Sequence, residues 1–383
     1  MRKNNVVRIG IAGGGTGGHI YPLLAVCDAF SKKRGPYDDT VIEFHYFGRP
    51  GIYQNEFDFR SIRAHSIIGS RLRRYASIQN VFDIPKFFIS IVQALFSLLL
   101  VMPDVVFSKG GPGSIPVVFA AWFYRIPIVI HESDAVPGLA NRVAARFARK
   151  ICISFPESKE FFDEKKVVAT GNPIRDELIK NRMSKVGAKN FWRMDEHLPL
   201  ALVVGGSQGS QRINSFITEN LEELLKDVQI LHQVGQSNYQ EIEMSMREIM
   251  ALVPRELHGR YRAVSFMDVE EMKNAMTAAD VIISRAGSGA IFEIASFKTP
   301  TILIPLEESA GDHQKVNAYA YSKTGYAFVL EEENMTLHTL QSRIRALISP
   351  EFTPNNRGEK TDLFFFSQSA ERIADEVMGL ISG

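Results

Sequence analysis

Short apolar runs alternate with longer stretches of helical spacing along most of the chain. In the first half the runs are 6–12, 41–47, 104–108, 127–131 and 150–154. Alternation of this kind predicts a parallel, doubly wound sheet. A polar, Lys-rich stretch follows Asn172 and Pro173 as far as Lys189, and the alternation then restarts with 200–204, 228–234, 281–284, 301–306 and 326–330. The restart marks a second α/β domain. Both halves open with a strand running into a glycine-rich turn, GIAGGGTGGH ending at His19 and LVVGGSQGSQ ending at Gln211. The pattern predicts an α/β protein of two Rossmann-like domains, 1–172 and 173–366. Residues 353–361 are polar and predict a loop. A helix within 367–383, with apolar spacing at Ile373, Val377, Leu380 and Ile381, is expected to pack back on the first domain.

Composition narrows the class. A length of 383 residues suits two domains of ordinary size. With 45% hydrophobic and 23% charged residues the chain is neither disordered, collagen-like nor disulfide-stapled. Its formal net charge of +1 supplies no global field toward nucleic acid, so no nucleic-acid partner is expected. Cys27 and Cys152 stand far apart, without C-x-x-C or a Cys/His cluster of metal-ligand spacing, and read as reduced core thiols, which fits the cytoplasm. The first apolar run is interrupted by Arg8 and followed by three glycines, so it reads as a strand and not as a signal peptide.

Glycines between a strand and a helix let the backbone approach a ligand, and the N–H groups of the helix start attract phosphate oxygens. Gly13 to Gly18 meets that need. A dinucleotide enzyme with this turn would also carry an acidic residue at the end of the second strand. That strand ends in Gly48 and Arg49, which argues against a nicotinamide oxidoreductase. His19 directly follows the glycines, where an imidazole either takes a proton near neutral pH or packs at a helix start. In the second half, Ser284-Arg285-Ala286-Gly287-Ser288-Gly289 follows a strand and precedes a helix pattern over 290–296 that carries Glu293. Such a helix start can hold a diphosphate while Glu293 accepts hydrogen bonds from a ribose diol; alternatively Glu293 only supports the helix start. An anion loop in one domain and a nucleotide-diphosphate site in the other suggest transfer between two bound partners. The chain has no D-x-D triplet, the acidic motif with which many sugar transferases hold a divalent ion, so no metal or other cofactor is expected. Leaving-group stabilisation then falls to the helix dipole, Arg175 and Arg285.

Residues 84–102 are nineteen in number, fourteen of them apolar, barely the length of a bilayer span. Lys86, Ser90, Gln93 and Ser97 recur at spacings of four, three and four and draw one polar stripe along a helix, which Pro103 ends. An amphipathic helix with a broad apolar face is therefore expected, and not a span. Upstream, 60–82 carries Arg60, Arg63, Arg71, Arg73 and Arg74 without an acidic residue. Beside Phe82, Phe87 and Phe88 these residues suit an anionic lipid surface, the alternative being a solvated loop next to a core helix.

The strings GGGTGGHIYPLLAV, HESDAVPGLANR, TGNPIR, VVGGSQGSQRIN and SRAGSGAIFEIA, in this order over most of the chain, resemble the bacterial N-acetylglucosaminyltransferases of peptidoglycan synthesis. The resemblance implies a glycosyltransferase-B fold. It also implies inverting, metal-independent transfer of N-acetylglucosamine from its uridine diphosphate (UDP) to the muramoyl 4-OH of lipid I, giving lipid II at the cytoplasmic face of the plasma membrane, with other cell-wall synthesis proteins as possible partners. Thr16, Gly17, Gly18 and His19 match the loop held to bind the acceptor diphosphate. Arg175, Ser207, Met267, Ser288, Gly289, Ala290, Glu293 and Gln314 match the donor site, with Met267 expected to touch uracil through its backbone. For inversion a base must deprotonate the attacking hydroxyl. His19 is the first choice because its unperturbed pKa lies nearer neutrality, and Glu132 is the rival.

Three departures from the family pattern stand out. His131-Glu132-Ser133-Asp134 replaces His-Glu-Gln-Asn, so an amide near the donor becomes a carboxylate, repulsive to a diphosphate unless protonated, turned away or paired with a cation. Gly110-Gly111-Pro112 replaces Gly-Gly-Tyr, and the acidic stretch 307–312 is one residue longer than in some members. Alternatives are a related transferase acting on diacylglycerol, a UDP-sugar 2-epimerase, and a non-catalytic cell-wall scaffold.

Overall fold

The structure, a computed structural model, describes residues 6–15, 17–32, 40–68, 78–206, 209–307, 310–354, 364–365 and 368–381; of 78–84 and 310 only the backbone is described. By its internal contacts the chain divides into two compact units, Met1–Arg175 with Phe366–Gly383, and Asp176–Phe365.

The first unit is built on seven parallel strands: β1 (Val6–Ala12), β2 (Val41–Phe47), β3 (Arg63–His65), β4 (Val105–Ser108), β5 (Ile128–Glu132), β6 (Lys150–Ile153) and β7 (Val167–Ala169), in the order β3-β2-β1-β4-β5-β6-β7. Helices cover both faces of such a sheet, so its central strands are apolar on both sides. All residues of β4 and β5 are buried accordingly. One face packs Ile9, Ile11 and Phe107 against Ile20, Leu24 and Cys27 of the helix Gly17–Lys32 and Ile373, Ala374 and Val377 of the helix Ser369–Gly379. The other face packs Val106, Ile128, Ile130 and Ile151 against Ala94 and Leu98 of the helix Ile78–Val101 and Val117 of the helix Ile115–Phe123. Cys27 and Cys152 are buried free thiols in the first of these cores.

The second unit repeats the plan with six parallel strands: β8 (Leu200–Val204), β9 (Gln229–Gln233), β10 (Tyr261–Val264), β11 (Val281–Ser284), β12 (Thr301–Leu303) and β13 (Ala327–Val329), in the order β10-β9-β8-β11-β12-β13. In both sheets the order reverses beside the first strand, between β1 and β4 and between β8 and β11. At such a reversal the connecting helices leave to opposite faces and open a crevice at the carboxyl ends of the strands. The glycine turns after β1, β4, β8 and β11 all lie at these positions.

The polar stretch after Pro173 holds two short helices, Asp176–Ile179 and Lys185–Phe191, the latter capped by Ser184 Oγ, which accepts from Gly187 N at 3.1 Å. One sequence expectation needs correction. The stripe of Lys86, Ser90, Gln93 and Ser97 does not face solvent as a whole. Ser90 is fully buried, and Gln93 Oε1 turns to accept from Ile68 N at 2.9 Å. Small residues at 90 and 94 let this side of the helix approach the core, while Phe88, Ile89, Val92, Phe96, Leu99 and Leu100 are left exposed on the outside.

Candidate active site

In the first unit, β1 opens into Gly13 to Gly15 and β4 into Lys109-Gly110-Gly111. Gly111 has φ +88°, and a Cβ there would stand 3.1 Å from Gly14 Cα. Only glycine serves at that position, because the two turns close on each other. The ring of His19 lies at this meeting point, its Nε2 3.6 Å from where that Cβ would be. Beneath the turns, Lys109 is 1% exposed, and its Nζ donates to Ser133 Oγ at 2.7 Å.

The carboxyl end of β5 supplies the remaining groups. Buried Glu132 accepts from Asp134 N at 2.9 Å, Asn141 Nδ2 at 2.9 Å and Gly138 N at 3.2 Å. Its carboxylate thereby clasps the chain between β5 and the helix Leu139–Ala144. His131 Nε2 donates to Gly171 O at 3.0 Å and lies 3.1 Å from Ser154 Oγ.

Burial dominates the electrostatics here. It drives His19 down to about 4, reinforced by the Lys109 ammonium and opposed by Asp134. The ring keeps part of its surface exposed, whereas Nδ1 is buried with no hydrogen-bond partner of standard geometry among the described residues. Burial and Asp134 push Glu132 above the usual carboxylate range, against its hydrogen bonds and Lys109. Lys109 is pushed down by burial and held up by Glu132 and Asp134. Burial thus moves the two candidate bases in opposite directions, Glu132 toward neutrality and His19 away from it.

In the second unit, β8 runs through Gly205 and Gly206 to Gly209 and the helix Gln211–Glu219, capped by Ser210. Gly209 has φ +80°, and a Cβ there would fall 2.0 Å from Val234 O, so no side chain fits. Across the crevice, β11 runs through Arg285 to the helix Ser288–Ala295, whose N-cap Gly287 offers no side-chain hydrogen bond. Such a helix start presents backbone N–H groups to an anion. A cavity of about 400 Å³ lies between the two turns, lined among others by Gly206, Arg285, Ala290 and Gln314.

Arg285 is already engaged. It pairs with the buried carboxylate of Glu332, and its Nη2 donates to Ser210 Oγ at 2.6 Å and its Nη1 to Ile304 O at 3.2 Å. Glu332 also pairs with Arg212. In this arrangement Arg285 braces the cavity wall. Met267 N donates to Gln233 Oε1 at 3.0 Å, leaving its carbonyl as the backbone group for a base. Gln314 Oε1 accepts from Leu306 N at 3.1 Å, and Glu293 is half-exposed on the helix that begins at Ser288.

The fold therefore gathers Gly17, Gly18, His19 and Glu132 at one switch point, and Arg285, Ser288, Gly289, Ala290 and Gln314 at the other, with Glu293 on the same helix. Two residues expected at the donor site belong to the first unit. Asp134 acts electrostatically on Lys109 and His19, and the Arg175 guanidinium lies 4.9 Å over the Tyr21 ring. Thr16, Ser207, Arg71, Arg73 and Arg74 lie outside the described residues, as does the side chain of Phe82. A larger cavity, of about 900 Å³, opens near the amino end of β5 among Trp122, Arg125, Arg146 and Arg149 and contains none of the expected site residues. Lys109, Asn141, Gln233 and Glu332 were not singled out from sequence. Lys109 alone carried a signal, as a cation directly before a glycine turn.

The Glycosyltransferase family 28 N-terminal domain matches residues 9–153, and the Glycosyltransferase family 28 C-terminal domain matches 200–376. The chain is 38% identical over 353 residues, 91% of its own length and 94% of the relative, to a Clostridium kluyveri protein named UDP-N-acetylglucosamine-N-acetylmuramyl-(pentapeptide) pyrophosphoryl-undecaprenol N-acetylglucosamine transferase. A protein of the same name from Clostridium novyi is 35% identical over 385 residues, covering 100% of this chain and 99% of the relative. Among solved structures, Acinetobacter baumannii MurG superposes with a TM-score of 0.71 at 22% identity, over 97% of this chain and 99% of that one. At that identity the likeness speaks for the fold, two Rossmann-like units of the glycosyltransferase-B type.

Proposed function

The chain belongs to glycosyltransferase family 28, and on that footing we propose that it transfers N-acetylglucosamine from UDP-N-acetylglucosamine to undecaprenyl-diphosphate-linked MurNAc-pentapeptide, converting lipid I to lipid II. The observation that carries the reading is the near full-length match to transferases of that name.

The chemistry of each unit supports a division of labour. In the second unit, the open start of the helix Ser288–Ala295 receives the donor diphosphate, Glu293 the ribose diol and the Met267 backbone the uracil. In the first, the turn ending at His19 receives the acceptor diphosphate. An anion seated there raises the His19 pKa, against the lowering by burial, and makes the imidazole a stronger proton acceptor when the acceptor binds. Glu132, buried and saturated by three donors, holds the loop beside it. The departing UDP is stabilised by the helix start, with no metal in the proposed route.

Acceptor access fits a membrane surface. Among the described residues no helix is long and apolar enough to cross a bilayer. Phe88, Val92, Phe96 and Leu100 on one helix, with Trp122 and Phe123 on the helix packed beside it, present exposed apolar side chains suited to shallow insertion. We place the protein peripherally, on the cytoplasmic face where a UDP-sugar is supplied.

Radiolabelled UDP-N-acetylglucosamine offered with lipid I, and separately with diacylglycerol, tests the reading. Label is expected in lipid II only, and is expected to survive excess chelator. Label in diacylglycerol, or an epimerised UDP-sugar without acceptor, overturns the substrate assignment. Loss on chelation restored by a divalent ion overturns the metal-free route.

A further inference from the structure

The Asp134 carboxylate brings a negative charge near the phosphate-binding turn that carries His19, and the fold supplies a buried cation, Lys109, under the same turn. We propose that Lys109 is a positioning residue for the transfer, holding Ser133, Glu132 and Asp134 as one charge-balanced floor beneath His19, so that Lys109 and Asp134 work as a pair. The inference rests on the reading of His19 as the group that takes the acceptor proton.

The placement is specific. Lys109 is fixed at the carboxyl end of β4, its main-chain N–H donating to Ala12 O, at the end of β1, at 2.8 Å. A methyl on Gly13 would stand 3.5 Å from Lys109 Cβ, so the lysine stem runs directly under the glycine run that carries His19. At 1% exposure an ammonium persists only among groups that replace its water. Ser133 Oγ is the one in contact, at 2.7 Å, and the carboxylates of Glu132 and Asp134 add an electrostatic counterweight. On the other side of the balance, Lys109 acts on the rings of His19 and His131 and opposes their protonation. Without the ammonium, the Asp134 carboxylate loses its buried counter-charge and repels the incoming acceptor diphosphate. Removing Asp134 as well removes that repulsion.

Lys109→Met, Asp134→Asn and the double variant, assayed across pH beside the parent, test the pair. Lys109→Met should lower kcat by about tenfold or more with donor KM within about twofold, and the double variant should regain roughly fivefold of that loss. The alkaline limb of kcat should vanish in Lys109→Met and move to lower pH in Asp134→Asn, because the lysine then loses a carboxylate that holds its proton. Losses that simply multiply, or an alkaline limb unmoved in Asp134→Asn, overturn the pairing. If Lys109→Met does not fold, the Asp134→Asn shift alone decides. A parent that labels no lipid I fails the functional reading instead. The pair is then judged by denaturant melts of the same proteins, where absence of coupling overturns it.

Discussion

One side-chain nitrogen, Nδ2 of Asn141, donates both to the Glu132 carboxylate at 2.9 Å and to the His131 carbonyl at 3.0 Å, tying the end of β5 to the helix that follows. The bond makes Glu132 a structural acceptor as well as a candidate base, and the two roles separate experimentally.

His19→Ala should lower kcat by about 10²–10⁴-fold while leaving the donor KM nearly unchanged, the usual loss for a positioned general base. Glu132→Gln turns an amide N–H toward donors in a buried site, which should cost about 1–3 kcal/mol in denaturant melts. It should spare the acidic limb of the pH–rate profile. If that limb disappears and turnover falls further than in His19→Ala, Glu132 is the base. A His19→Ala enzyme within about threefold of the parent returns His19 to a packing role.

Glu293→Ala should weaken UDP binding by about 1.5–3 kcal/mol in calorimetry, the worth of charge-assisted bonds to a ribose diol. Unchanged affinity removes Glu293 from the site.

Phe88→Ser with Phe96→Ser should reduce binding to anionic vesicles, since both rings are more than half exposed. Replacing Arg71, Arg73 and Arg74 by Ser should do likewise, at about 1 kcal/mol for each basic residue near the surface, and high salt should mimic it. Mutant and parent binding equally would exclude these groups. Association that resists alkaline carbonate would point to a span.

His232 offers a stability prediction in the second unit. Its Nε2 lies 3.0 Å from Asn214 Oδ1 and its Nδ1 3.1 Å from the Tyr261 hydroxyl, so the neutral ring donates to one and accepts from the other. Burial lowers its pKa from 6.5 to about 3. The unfolded chain therefore takes the proton first as pH falls. The stability due to this ring is complete above 6.5 and declines toward 3, by at most about 1.4 kcal/mol for each pH unit. His232→Gln should flatten the fall between pH 6.5 and 4 in urea melts, and a slope equal to that of the parent would exclude the residue as its source.

The central strands were legible because burial on both faces leaves continuous apolar runs, as in Leu200–Val204 and Val105–Ser108. The edge strand β7 was missed because its run, Val167–Ala169, is only three residues long, and the edge strands β3 and β10 for the complementary reason. Half-exposed and carrying Arg63 and Arg262, they show no apolar run, as is usual where a sheet meets solvent. The glycine turns and His19 were visible as motifs. Glu332 was not, because its partner Arg285 lies far away in sequence and only the fold brings them together. The opposite shifts of His19 and Glu132 were not legible, because burial, which sets both pKa values, is a property of packing and not of residue type.

The helix Ser369–Gly379 places Ile373, Ala374 and Val377 in the same core as Ile9 and Ile20, although the whole of the second unit is encoded between them. During synthesis the first unit must therefore wait, with one apolar face of its sheet and of the helix Gly17–Lys32 uncovered, until some 190 further residues have left the ribosome. The later-made unit can finish folding before the earlier one. Nascent chains stalled before residue 369 should thus expose a protease-sensitive, chaperone-binding surface around Leu24 and Cys27 that closes only on release.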